Sequence, residues 1–452
     1  MYLAYSFLLT LGFLILVPRF IFHAFSHGKY VAGFSERLGS VAANRDEKRP
    51  VVWLHCVSVG ETQAARPLVQ RLRKEFPEYA LVVSTITLTG QRLARDVFKN
   101  DAAHIFYFPF DWRWTVRRAL DNVKPAAVLV METELWPNFL RECQVQRIPV
   151  ALVNGRISRQ SFRRYRLIKF FIRRVLSCLD IAIMQSQADA NRLHTLGFRP
   201  EQLFTSGNLK FDAGLMSATT STTAYLRERF NLDQSAPLIL AASTHAPEEK
   251  IILDSFQQLK RGEQKPRLMI APRHPERFQE VASLLQSSGL TWVRRTASAG
   301  PTDFSCEAIL LDTIGELPAV YSLAAIVFVG GSIANKGGHN VLEPAADGAC
   351  VVTGAHTDNF EAIVNLLAEY RAIVQLPPVQ DRDAAHTLSE VLGDLLMKPE
   401  LREELGSRAR ELVVTNRGAA DKTIQLISPI LLRHPLARSK SDPLLASNDH
   451  TS

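Results

Sequence analysis

Beyond residue 50 the chain alternates short apolar runs with longer amphipathic stretches. Runs at 51–56, 81–84, 127–131, 150–154 and 181–185 read as strands, and the stretches between them, such as 62–75 and 91–98, read as helices. That alternation predicts a layered α/β domain. The second half repeats the style, with strands expected at 238–242, 267–271, 308–311, 326–329 and 350–353. A helix is expected over 399–415, followed by a largely apolar segment at 424–432. Asn208-Leu-Lys-Phe-Asp212 leads into a Ser/Thr-rich stretch, 217–223, which reads as a connection between two units. No sequence repeat relates the halves, but two similar α/β units joined by one linker imply a cleft between them.

The N-terminus breaks the pattern. Residues 1–18 carry no charged side chain and 3–17 are almost entirely apolar, with Arg19, Lys29 and Arg37 following. A secretory signal has its charges before the apolar run and a small-residue cleavage site after it, the reverse of what is present. The run lies at the short end of the ~17–25 residues that cross a bilayer, extended past Arg19 by Phe20-Ile-Phe22. Basic residues downstream of it place the bulk of the protein on the cytoplasmic side. An anchor, spanning or interfacial, is therefore expected over 1–34, since a buried core helix normally shows a polar face. Residues 35–49 read as a polar linker, and 433–452, rich in Ser, Pro and charge, as a disordered tail.

At 452 residues the chain exceeds the size of one hydrophobic core, so two domains are expected. Its 53 basic and 45 acidic residues give a net charge of +8, suited to a phosphorylated substrate or an anionic membrane. Nucleic acid ranks last, because the aromatic-plus-basic runs of RNA-binding proteins are absent. Cys56, Cys143, Cys178, Cys306 and Cys350 are scattered, odd in number and never in a Cys-x-x-Cys pair. Neither a disulfide framework nor a zinc site follows, and a reducing compartment fits.

In open parallel sheets ligands bind outside the carboxyl ends of strands, and the notable motifs fall there. Ser58-Val-Gly-Glu61 follows a strand and opens a helix; Glu61 is either a helix-start acid or a base at a cleft. Met131-Glu-Thr-Glu-Leu-Trp-Pro-Asn138 sets Glu132 and Glu134 two apart, which faces both to one side of a strand. Such a pair raises one pKa or forms a structural network around Trp136. Asn154-Gly-Arg-Ile-Ser-Arg159 begins a run of eight cations, Arg156 to Arg174, with no acid among them. A solvated helix face is the ordinary account, but their mutual repulsion points to an anionic surface or ligand.

Ala241-Ala-Ser-Thr-His-Ala-Pro-Glu-Glu249 offers Ser243 and Thr244 as helix caps, or as part of a phosphate site at a helix start. Arg273 and His274, between two prolines just past another strand, suit a phosphate contact. Phe328-Val-Gly-Gly-Ser-Ile-Ala-Asn-Lys-Gly-Gly-His-Asn-Val-Leu-Glu343 has two Gly-Gly pairs that let a backbone form an anion nest. Asn340 and Glu343, three apart, match a capping box or a pair that grips the two hydroxyls of a ribose. His339 has no second ligand at metal-site spacing, so no metal is expected.

Together these segments resemble the 3-deoxy-D-manno-octulosonic acid (Kdo) transferases of lipopolysaccharide synthesis. The motifs SVGE, METELWPN, NGRIS, GNLKFD, ASTH, APRHPERF and GGSIANKGGHNVLEP occur in the family's order, from Ser35-Glu-Arg-Leu-Gly39 to about Asn416. Val341 stands where the family commonly has proline. The resemblance implies a glycosyltransferase-B fold: an acceptor domain over 35–216, a nucleotide-sugar domain over 217–415, and a helix over 416–432 returning to the first. It implies an inner-membrane enzyme whose catalytic domains are cytoplasmic, using CMP-Kdo as donor and the phosphorylated lipid A precursor as acceptor, without cofactor or metal. Glu61 then matches the general base, kept ionised with help from the helix dipole. Ser58, Gly60, Glu132, Glu134 and Arg156 match the acceptor side. Lys210, Ser243, Thr244, Arg273, His274, Gly315, Glu316, Gly331, Ser332, Asn340 and Glu343 match the donor side. Two rivals stay open: a UDP- or GDP-sugar enzyme of the same fold, and a non-catalytic membrane-bound nucleotide or lipid binder.

Overall fold

The computed structural model describes residues 1–27, 33–41, 49–213, 220–232, 236–260 and 265–433. The linker expected at 35–49 and the connection at 217–223 lie partly outside these, and the expected tail lies outside them beyond Arg433. Two compact units form, Met1–Ala213 with Arg417–Ser452, and Gly214–Asn416.

The first unit is built on seven parallel strands: β1 (Val51–His55), β2 (Ala80–Thr85), β3 (His104–Tyr107), β4 (Pro125–Met131), β5 (Val150–Gly155), β6 (Ile181–Met184) and β7 (Leu203–Thr205). Their order is β3-β2-β1-β4-β5-β6-β7, so the winding reverses between β1 and β4. The strands are apolar on both faces because both are covered. Trp53, Val82, Phe106, Val128 and Leu152 pack on one side with Phe139. Val52, Leu54, Leu81, Val83 and Leu129 pack on the other against Leu68 and Leu72 of the helix Val59–Glu75. The helix Ala419–Leu431 closes this second face with Ile424, Ile427 and Ile430. Its N-terminus is fixed by Asp212, whose carboxylate accepts from the backbone N–H of Gly418 at 2.8 Å and of Ala420 at 2.7 Å.

The N-terminal segment is a helix, Tyr2–His27. Among the described residues no helix is long and apolar enough to cross a membrane. The spanning anchor anticipated for 1–34 is thus not found. Through residue 15 the helix lies against the first unit: Tyr2 and Tyr5 meet Phe171, and Phe13 meets Phe110 and Trp112. Asn138 donates to the Ser6 hydroxyl at 3.0 Å. The opposite face, Leu3, Phe7, Leu8, Leu11, Leu14 and Ile15, is exposed.

The second unit repeats the design with β8 (Leu238–Thr244), β9 (Arg267–Pro272), β10 (Trp292–Arg294), β11 (Ala308–Leu310), β12 (Ile326–Val329), β13 (Cys350–Thr353) and β14 (Val374–Gln375). The order β10-β11-β9-β8-β12-β13-β14 puts its reversal between β8 and β12. Phe256, Leu268, Ile270, Phe328 and Leu388 centre its core. β3, β7, β10 and β14 have no counterpart among the expected strands, and each is the outermost strand at one end of its sheet.

Candidate functional site

In each unit some of the candidate residues follow the two strands between which the order reverses, the place at which such sheets bind ligands, while Arg156, Arg273, His274, Gly315 and Glu316 follow other strands. In the first unit Glu61 follows β1 and Glu132 and Glu134 follow β4. Ser58 caps the helix Val59–Glu75 by accepting from the Glu61 N–H at 3.3 Å. Glu61 reaches back, accepting from the Val57 N–H at 2.8 Å and the Ser58 hydroxyl at 2.9 Å. The helix-start role and the aim of the carboxylate are therefore one geometry. Gly60 has nothing but the Ser58 hydroxyl near a would-be Cβ, at 3.9 Å. Space is therefore left beside the backbone of Gly60.

Glu61 is buried, 6% exposed. Burial, then the charge of Glu132, raise its pKa to about 8, against the opposing hydrogen bonds from Val57 and Ser58. Burial likewise pushes Glu134 up to about 7. Desolvation thus opposes the ionised form of Glu61 that the helix dipole favours. Glu132 has φ 50°, a strained value for a residue with a Cβ, and its N–H donates to the Val153 carbonyl at 3.0 Å. Asn154, φ 53°, accepts from the Leu209 N–H at 3.0 Å, and Asn208 accepts from the Lys210 N–H at 3.0 Å. These bonds bring Lys210 into the first unit's acidic group. Burial lowers its pKa, while Glu132 and Glu61 raise it and Arg156 lowers it. The Arg156 carbonyl accepts from the Thr133 hydroxyl, tying the NGRIS turn to the METELWPN turn. Lys210, matched to the donor by resemblance, stands with the acceptor residues.

In the second unit Ser243 (φ 56°), Thr244 and His245 end β8, Arg273 and His274 lie just past β9, and Gly331 to Glu343 follow β12. Arg273 and His274 are exposed, and the His274 ring lies 5.2 Å from that of His245. His245 and His339 share a hydrogen bond of 2.8 Å between their Nε2 atoms, with ring planes 10° apart. Burial lowers both pKa values, that of His339 to about 3, so one neutral ring donates to the other. Asn340 donates to Glu343 at 3.0 Å and accepts from the Leu342 N–H at 3.0 Å; Tyr321 donates to Glu343 at 3.2 Å. Burial raises the Glu343 pKa.

Two expectations change. The N–H groups of Gly331, Ser332, Ile333 and Ala334 form a nest, but it is filled from within by Glu248, at 2.8 to 3.1 Å. The Ser332 hydroxyl is engaged too, donating to the Val329 carbonyl at 2.6 Å and accepting from the Gly354 N–H at 2.8 Å. Gly331 and Ser332 therefore offer a phosphate no unused donor among these groups. Glu316 is likewise committed: Arg295 bonds its two oxygens at 2.8 and 2.9 Å, and Thr313 adds a third bond at 2.8 Å. Glu316 thus shapes the loop, leaving Gly315, φ 86°, beside the exposed Ile314 at its tip. Glu248, His245, Tyr321 and Arg295 were missed as site residues; His245 and Glu248 lie in the quoted stretch after β8. Among the described residues no three His, Cys, Asp or Glu side chains converge as a metal cage.

Two Rossmann-like units, each with acids and backbone turns at its switch point, define a glycosyltransferase-B type of α/β protein. Solved structures agree at the level of fold. UDP-GlcNAc 2-epimerase from Neisseria meningitidis, bound to UDP-GlcNAc, has TM-score 0.56 at 14% identity, covering 84% of this chain and 100% of its own. A glycosyltransferase from Rickettsia africae has TM-score 0.53 at 13% identity, with 86% and 100% covered. The family profile described as 3-deoxy-D-manno-octulosonic-acid transferase (kdotransferase) matches residues 32–213. The 3-deoxy-D-manno-octulosonic acid transferase of Haemophilus influenzae is 35% identical over 85% of this chain and 88% of its own length. The chain belongs to the 3-deoxy-D-manno-octulosonic acid transferase family.

Proposed function

We propose that the protein is an inverting glycosyltransferase that moves Kdo from CMP-Kdo to the phosphorylated lipid A precursor, lipid IVA. The observation that carries the reading is Glu61: a buried carboxyl at the switch point, oriented by Val57 and Ser58, beside Glu132 and Lys210. Glu61, once ionised, takes the proton of the acceptor's primary hydroxyl as that oxygen bonds to C2 of Kdo. The bond from C2 to the phosphate oxygen breaks, and its electron pair leaves with CMP. Arg273 and His274 meet the charge that develops on the phosphate, with Ser243 and Thr244 at the neighbouring turn. Asn340 and Glu343 hold the ribose, and Gly315 lines the cytidine. Arg156 and Lys210 face the phosphorylated acceptor. No metal or other cofactor takes part.

The acceptor's acyl chains keep it in a bilayer, and the first unit's surface suits that location. The N-terminal helix packs on Phe171 through Tyr2 and Tyr5 and leaves its other side, from Leu3 to Ile15, exposed; Leu167, Ile168 and Phe170, next to Phe171 in sequence, are exposed as well. Arg159, Arg163, Arg164, Arg166, Lys169, Arg173 and Arg174, which flank them in sequence, are exposed too. At an anionic leaflet of the inner membrane each such cation contributes about 1 kcal/mol. The protein lies on the cytoplasmic face in this reading.

The test is mass spectrometry of lipid IVA incubated with the purified protein and CMP-Kdo. A product heavier by one or more Kdo units is expected. Turnover with a UDP- or GDP-sugar and none with CMP-Kdo would overturn the proposal.

A further inference from the structure

The second unit's Gly-Gly-Ser turn looks like a phosphate loop in sequence, yet its donors are already bonded. Glu248, the first residue of the helix Glu248–Leu259, is fully buried. Its Oε2 accepts from the N–H of His245 at 2.9 Å and of Gly331 at 2.8 Å. Its Oε1 accepts from the N–H of Ser332, Ile333 and Ala334 at 2.9, 2.9 and 3.1 Å. Five backbone donors on one carboxylate join the loop after β8 to the loop after β12. The two glycines are explained by this arrangement. A Cβ on Gly330 would stand 2.8 Å from Glu248 Oε2 and 2.7 Å from the Ser243 carbonyl; one on Gly331 would stand 2.9 Å from the His339 ring. Such approaches are closer than side chains tolerate. The first glycine admits the carboxylate, and the second admits the histidine that pairs with His245.

We propose that Glu248 is a positioning residue of the donor half: its carboxylate occupies the anion nest in place of a ligand phosphate and sets His339, Asn340 and Glu343 before any donor arrives. The inference rests on the CMP-Kdo reading for the identity of the donor, not for the geometry. It leaves the donor's phosphate to the exposed Arg273 and His274 beside the His245–His339 pair. It also assigns the conformation of the turn to an internal side chain, so the loop does not wait for ligand to order it.

Hydrogen exchange on the full chain, read by mass spectrometry over 329–343, tests this without any donor. The amides of 331–334 are expected to be protected in the ligand-free protein, with less than a twofold change on adding CMP. Glu248→Gln keeps the shape but turns one oxygen into an NH2 group, which must face two or three N–H donors. In that variant, exchange is expected to rise at least tenfold and the donor KM at least tenfold, with the acceptor KM within twofold. A loss of folded protein alone would lower activity without that split. Fast exchange in the ligand-free wild type that slows once CMP is added would overturn the proposal, because the nest would then be the ligand's. So would a Glu248→Gln protein with unchanged exchange and unchanged donor KM. The wild-type measurement decides even if the variant does not fold. Calorimetry that finds no CMP binding to the wild type would defeat the donor reading and leave the ligand-free exchange result to judge Glu248.

Discussion

Glu61 caps its own helix through Ser58 and is buried beside a second carboxylate, and these two surroundings act on its proton in opposite directions. The helix start favours the anion by roughly 0.3–1 kcal/mol, less than one pKa unit. Burial and Glu132 outweigh this and bring the pKa to about 8. A base must be ionised to accept a proton, so kcat/KM for the acceptor is expected to rise about tenfold per pH unit below 8 and to level off above it. Glu132→Gln removes a charge that raises this pKa, and the rise is then expected at lower pH. Glu61→Gln fills the same space but cannot take the proton; transfer should fall by roughly 10²–10⁴ while CMP binding is retained. A pH profile measured on all three proteins checks the set. Near-normal turnover by the glutamine variant at position 61 would remove Glu61 from the base role.

Helices carry the other unusual chemistry of the first unit. Arg159–Leu167 has no buried residue, and Lys169–Leu176 buries Ile172, Val175 and Leu176 while Phe170 stays exposed. Leu167 and Ile168, at the junction, are exposed as well. Exposed apolar residues flanked in sequence by exposed cations are poorly placed in water and well placed at a charged bilayer surface. Replacing Leu167, Ile168 and Phe170 together by serine should weaken binding to phosphatidylglycerol vesicles at least tenfold, since each apolar side chain removed from water contributes about 1.5–3 kcal/mol. Vesicle sedimentation at two salt concentrations measures it, and the cationic share should fade as salt rises. Equal binding of wild type and triple variant to neutral vesicles would argue against the surface.

The same scale shows what sequence could reveal. Central strands are covered on both faces, and their unbroken apolar runs were legible. β7, β10 and β14 are edge strands of 3, 3 and 2 residues, too short to show such a run, whereas the edge strand β3 does hold one, Ile105-Phe106-Tyr107, that went unread. Glu61 was legible because Val57 and Ser58 lie within four residues of it. Glu248 was not, since its nest partners come 83 to 86 residues later and only the fold brings them near.

At the scale of the whole chain, the first unit is discontinuous. The polypeptide leaves it after Ala213, forms the second unit, and returns at Arg417. The sheet face carrying Val52, Leu54 and Leu129 is completed only when the helix Ala419–Leu431 arrives. Asp212 marks the exit and the re-entry together, because its carboxylate holds the N–H groups of Gly418 and Ala420. Arg71 and Asp421 add an ion pair at 2.8 Å, half exposed and so of small weight. The first unit's stability should therefore depend on residues near the far end of the chain. Ile427 is fully buried in that face, and truncating such a side chain to alanine costs about 2–5 kcal/mol. Ile427→Ala is expected to raise hydrogen exchange across β1 and β4 markedly while β8 and β9 of the second unit keep their protection. Native-state exchange resolved by peptide makes the comparison within one sample. Equal loss in both units would mean that they unfold as one, and no loss in β1 and β4 would mean that the returning helix is not needed to close the core.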